Sequence, residues 1–194
     1  MIYDFIVNKG QEEWFASRLS RPSATEKIHA TTNDFAKSCL AGEEQEVDTP
    51  AKGQCPFLED DSCTIYEARP FSCRCFVSTV MCEKSSTAEV PALVLSASTV
   101  VMQLLEHVGQ REYWGNLQDV LLALADLPAH KLVRKHLTNP SMEMQARARL
   151  LSGQPIPGFL LEDKEYAEIA GLLETIFNAT IDEKRVEDIL NGKV

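Results

Sequence analysis

Five of the six cysteines stand within 28 residues, at Cys55, Cys63, Cys73, Cys75 and Cys82, with 7, 9, 1 and 6 residues between neighbours. Thiolates are soft ligands, and four of them close a tetrahedral shell around zinc or hold an iron–sulfur cluster. A metal bound in this way also fixes the shape of a segment that lacks a regular backbone ladder. The spacing is not that of the paired CxxC groups of zinc ribbons and fingers. Thiols without metal, disulfides formed on isolation, and a redox pair in Cys73-Arg74-Cys75 are the other chemistries open to these residues. The sixth cysteine, Cys39, falls with Ile28 and Phe35 on one apolar face of a predicted helix. There it reads first as a small buried hydrophobe.

The residues around the cysteines narrow the choice. The run Cys55-Pro56-Phe57-Leu58, then Glu59-Asp60-Asp61-Ser62, then Cys63-Thr64-Ile65-Tyr66-Glu67-Ala68-Arg69-Pro70-Phe71-Ser72-Cys73-Arg74 resembles a zinc- or iron-chelating cysteine-cluster family (YkgJ-like). That family's pattern is CPxL, a few acidic or turn residues, then CxIYExRPxxCR, and the sequence matches it at nearly every fixed position. Looser similarity continues to about Asp126. The resemblance implies a metal centre with Cys55, Cys63 and Cys73 as ligands, Cys82 as the fourth, and Cys75 and Cys39 as secondary candidates. Zinc is the first cofactor it implies, with iron or an iron–sulfur cluster as the alternative. The family usually opens with a further CxxCxxCC group, whereas no cysteine here precedes Cys39. The chain is therefore expected either to start downstream of that group or to be a variant with a depleted site. Arg69 and Arg74 flank Cys73 as N–H donors to its sulfur, or Arg69 pairs with Glu67 or the acidic loop. Tyr66 is expected to pack its ring beneath the loop.

Little else in the chain carries chemistry. His29, His107, His130 and His136 are scattered over predicted helices and read as surface or packing residues. There is no glycine-rich phosphate loop and no GxSxG elbow. Residues 42–61 hold seven carboxylates against one lysine, but not in the order of a calcium loop, so they read as a solvated acidic loop. Lys131, Arg134, Lys135 and His136 form a short basic stretch, read as the polar face of a helix near its C-terminus. Trp14 and Trp114 read as core.

The elements that must position the cysteines are helical almost throughout. Residues 1–19 form helical pieces interrupted near Gly10, and a second helix capped by Ser23 or Thr25 ends at Gly42. The stretch 55–82 fits no regular period and reads as an irregular loop. Helices resume at Val90, with Val94, Ala97, Val101, Leu104, Leu105 and Val108 as an apolar face. Further helices are expected over 113–125, 131–137, 142–151, 163–178 and 182–191, the last two as a hairpin. The fold class is mostly α: a bundle-like helical domain over 1–127 with a cysteine-rich metal-binding loop at 55–82, and a helical extension over 128–194 packed on it.

Composition bounds the function. The 194 residues carry 19 Lys+Arg against 29 Asp+Glu, a formal charge of −10. That balance argues against nucleic acid and anionic lipid as partners, leaving the metal ion as the partner and naming no protein partner. The N-terminus lacks a signal peptide's basic region and apolar run, and Val90–Leu105 is too polar to span a bilayer. The expected compartment is the cytoplasm, where thiols stay reduced. Three functions follow: a thiolate metal-binding protein, an iron–sulfur electron-transfer or oxidoreductase-type protein, and a metal-free helical interaction module.

Overall fold

A computed structural model describes residues 1–21, 27–43, 55–75, 77–79 and 89–193. Its helices, in chain order, are α1 (Ile2–Asn8), α2 (Glu12–Leu19), α3 (Thr32–Leu40), α4 (Phe71–Arg74), α5 (Ala92–Val108), α6 (Leu117–Leu124), α7 (Lys131–Arg134), α8 (Pro140–Arg149), α9 (Asp163–Asn178) and α10 (Val186–Leu190). Strand is confined to three two-residue antiparallel pairs: β1 (Leu58–Glu59) with β2 (Ser62–Cys63), β3 (Tyr113–Trp114) with β4 (Leu151–Ser152), and β5 (Thr180–Ile181) with β6 (Lys184–Arg185). The mostly α reading holds. No helix among the described residues is long and apolar enough to cross a membrane.

The chain divides into two compact units. Among the described residues, the first lies within 1–31, 46–69 and 113–152, and the second within 32–45, 70–112 and 153–194. The segment expected as a C-terminal extension thus contributes residues 128–152 to the first unit and 153–193 to the second.

The first unit closes around Ile6, Phe15, Leu19, Phe57, Ile65, Leu122 and Val133, all fully or almost fully buried. α1 and α2 meet at the break near Gly10, and α6 packs along α8. Asn139 caps α8 by accepting from the Ser141 N–H at 3.1 Å, with Pro140 in the first turn where its missing N–H costs nothing. Tyr3 is buried on α1; it donates its hydroxyl to the Leu121 carbonyl at 2.6 Å and stacks on the His130 ring. Burial pushes its phenol well above the usual range.

The second unit closes around Val100 and Leu104 of α5 and Ile169 and Leu173 of α9. A polar network is buried beside this cluster. Glu106 is fully buried and accepts from the backbone N–H groups of Asn33 (2.9 Å) and Gln154 (2.8 Å). Gln103 donates to the Asn33 side chain and to the Gly158 carbonyl, and accepts from the Leu160 N–H. These bonds tie α3 and residues 154–160 to α5.

Several local expectations change. Residues 113–114 and 151–152 pair as β3 and β4 instead of extending the helices beside them. The last expected helix shortens to α10 because Asp182 and Glu183 take positive φ and turn a hairpin. The face of α5 is rotated: Gln103 and Glu106 are buried, while Leu105 and Val108 are exposed. Helical spacing cannot distinguish these faces when buried polar groups have partners elsewhere in the chain. Cys39 also departs from its core reading, being exposed on α3. Ser23 and Thr25, proposed caps of that helix, lie outside the described residues, and Ile28 precedes α3.

Candidate metal centre

The cysteine segment begins as a tight hairpin. Leu58 faces Cys63 and Glu59 faces Ser62, with Asp60 and Asp61 at the tip, both at positive φ (45° and 58°). Two consecutive left-handed residues make the type I′ turn, whose twist suits a two-residue hairpin, and aspartate tolerates that conformation better than most residues. The strands are anchored at their base. Thr64 bonds to the Phe57 carbonyl through both its N–H (2.9 Å) and its hydroxyl (2.8 Å). Phe57 and Ile65, on either side, are buried in the first unit's core. Phe57 stacks on Phe15 with centroids 5.4 Å apart. Arg18 of α2 pairs with Glu59.

This frame places two of the predicted ligands. Cys55 is exposed and starts a turn, its carbonyl accepting from the Leu58 N–H at 3.0 Å. Cys63, on β2, is half-buried and packs against the first unit's core. Within the stretch expected as irregular, residues 58–63 form a regular hairpin. Thr64's double bond and the Asp60-Asp61 tip are the devices that sequence reading passed over.

After the hairpin a 3₁₀ turn over Tyr66–Ala68 buries Ala68. Tyr66 is 59% exposed instead of packed beneath the loop. Arg69 lies 3.5 Å over its ring and donates Nε–H to the Tyr66 carbonyl at 3.1 Å. Glu67 pairs with Lys9, directly after α1, at 3.4 Å.

Pro70 starts the one-turn helix α4, its carbonyl accepting from the Cys73 N–H at 3.1 Å and the Arg74 N–H at 3.3 Å. Cys73 is exposed on this turn. Cys75, just after it, is half-buried and donates its thiol to the Ser72 carbonyl at 3.4 Å. In the second unit, Thr79 bonds to the Glu89 carbonyl through its N–H (2.9 Å) and hydroxyl (3.1 Å), and the Glu89 N–H donates to the Ser78 hydroxyl. Cys82, the expected fourth ligand, lies outside the described residues.

Five cysteines are therefore described, all as thiols outside any disulfide. Cys55 and Cys63 belong to the first unit, Cys39, Cys73 and Cys75 to the second. Among the described residues no three His, Cys, Asp or Glu side chains converge as a metal site. The donor set nevertheless fits zinc or iron by its chemistry, since it offers soft sulfur ligands with accessible positions at Cys55 and Cys73. The histidines are committed to packing or hydrogen bonds where the structure shows their partners. His130 bonds to the Leu124 carbonyl at 2.7 Å and His107 to that of Leu190 at 2.9 Å.

No curated protein and no solved structure matches this chain. One family does match it, under the name CxxCxxCC and the description "Putative zinc- or iron-chelating domain", over residues 14–93. That stretch runs from α2 into the first turn of α5 and contains all six cysteines, so it is over residues 14–93 that the chain matches the zinc- or iron-chelating family.

Proposed function

We propose that this protein binds zinc or iron through thiolates of Cys55, Cys63, Cys73 and Cys82, with Cys75 and Cys39 as secondary ligands. The match of residues 14–93 to a zinc- or iron-chelating family carries this reading. The local frames support it: a pinned hairpin presents Cys55 and Cys63, and a proline-initiated turn presents Cys73. Zinc is favoured because tetrahedral thiolate sites are its commonest structural use. The proposed compartment is the cytoplasm, where these thiols stay reduced.

The test is metal and acid-labile sulfide content, with a visible spectrum, on protein purified anaerobically without a metal-chelating tag. The expected result is about one zinc per chain and no colour, the stoichiometry of a four-thiolate site. Serine in place of Cys55, Cys63, Cys73 or Cys82 should each lower the metal retained. Iron with sulfide and a brown colour would instead make this an iron–sulfur protein. Protein that carries neither metal, and takes up none from added Zn²⁺ or Fe²⁺ under reducing conditions, would overturn the proposal.

A further inference from the structure

Away from the cysteine segment, the second unit holds a half-open pocket of about 620 Å³. Small-molecule sites commonly span roughly 300–1,000 Å³ and are mostly apolar with a few placed polar groups. This pocket has that composition. Leu104 of α5, Phe159, Phe177 of α9 and Leu190 of α10 line it, and all four belong to or pack against the second apolar cluster.

Two polar side chains, Glu187 on α10 and Asn191 directly after it, line the pocket. Glu187 and Asn191 are four residues apart, which sets them on one side of the helix. Asn191 donates Nδ2–H to the Glu187 carbonyl at 2.7 Å, which leaves its Oδ1 as an acceptor. Arg185 takes Oε2 of Glu187 at 2.6 Å and leaves Oε1 for another donor. His107 also lines the pocket, but both of its ring nitrogens are engaged. Nδ1 accepts from the Ile156 N–H at 3.0 Å, so Nε2–H is the donor to the Leu190 carbonyl. The side chains thus offer a ligand two oxygen acceptors, one a carboxylate, beside an apolar floor.

We propose that this pocket binds a small primary amine with an apolar body, its ammonium group against Glu187 and Asn191. An ammonium carries three donors and no acceptor, which suits two oxygens. A carboxylate brings only acceptors, which cannot pair with these oxygens. The net charge of −10 also favours approach of a cation. No cysteine lines the pocket, so the proposal stands apart from the thiolate centre.

Phenethylamine, phenethyl alcohol and phenylacetate serve as cationic, neutral and anionic probes of similar size. Each is titrated into the full chain by calorimetry and saturation-transfer NMR. Phenethylamine should bind saturably and more tightly than the other two. Glu187→Gln should weaken it by about fivefold, the scale a half-exposed ion pair supports. Leu190→Trp, which fills the pocket, should abolish binding of all three. Because that variant could lose α10, Glu187→Lys at the exposed rim is the second control and should abolish amine binding with the helical content unchanged. Three results would overturn the proposal: no saturation by the amine, equal affinity for amine and carboxylate, or wild-type affinity in Glu187→Lys.

Discussion

Asp61 sits at the hairpin tip with φ 58°, a conformation that costs L-residues about 1–2 kcal/mol unless the side chain is short and polar. Asp61→Val should therefore lower stability by about that much, while Asp61→Gly should be neutral or slightly stabilising. Urea midpoints of the two variants check this, and equal midpoints would deny the turn its left-handed backbone. Glu143 argues a pH effect at the same scale. Its carboxyl is almost fully buried and lies 3.2 Å from Arg134 Nη1, but its Oε1 has no hydrogen-bond partner. Burial, against the pull of Arg134, holds its affinity for a proton above the ordinary glutamate range. A folded state that prefers the proton is stabilised below the ordinary range and loses that stability as pH rises through the raised value. Glu143→Gln should thus gain on the wild type as pH rises from about 4 toward neutrality. Parallel stability curves for the two proteins would instead show that Arg134 fully compensates the charge.

Gly153 and Gly42 separate two reasons for glycine at the scale of elements. Gly42 ends α3 at φ +72°, with the Schellman bonds Glu43 N–H to Ser38 and Gly42 N–H to Cys39, and a Cβ there would meet nothing within 4 Å. Gly42→Ala should cost about 1 kcal/mol through the backbone alone. At Gly153 a Cβ would stand 2.6 Å from the Gly109 carbonyl oxygen, which is backbone and cannot swing aside. The same residue bonds to Glu112 and Arg111, so Gly153→Ala forces those contacts apart and should cost more than Gly42→Ala in thermal melts. Glu106 belongs to the same junction. Its replacement by leucine would strand the N–H groups of Asn33 and Gln154, at about 1–3 kcal/mol for each buried donor left without a partner. Faster hydrogen exchange at those two amides would check it. The periodic pattern of α5 showed that a helix exists there, but not which side is buried, because Gln103 and Glu106 look like surface residues until residues 33 and 154–160 are brought to them.

Metal binding is the prediction that belongs to the whole molecule. A ligand that binds only the folded chain adds about 2.7 kcal/mol at a free concentration 100 times its Kd. Zinc or iron should therefore raise the unfolding midpoint of the reduced protein, and a chelator should reverse the rise. A midpoint that does not respond to the metal would separate any bound ion from the fold. By itself the amino-acid sequence determined the helical class, the break near Gly10, the span 163–178 and the cysteine run whose fixed neighbours match a zinc- or iron-chelating family. These are local properties, set by the spacing of apolar residues, by glycine and proline, and by side-chain chemistry along a few tens of residues. Tertiary structure decided the rest. On α3, Asn33 and Ala36 are buried while Cys39 is exposed, and the strand pair β3–β4 joins residues nearly forty apart. The hairpin under Cys55 and Cys63 is held by Phe57 and Ile65, whose burial depends on α1, α2 and α6 arriving from elsewhere in the chain. Contacts between distant residues choose among the faces and turns that local preference leaves nearly equal in energy.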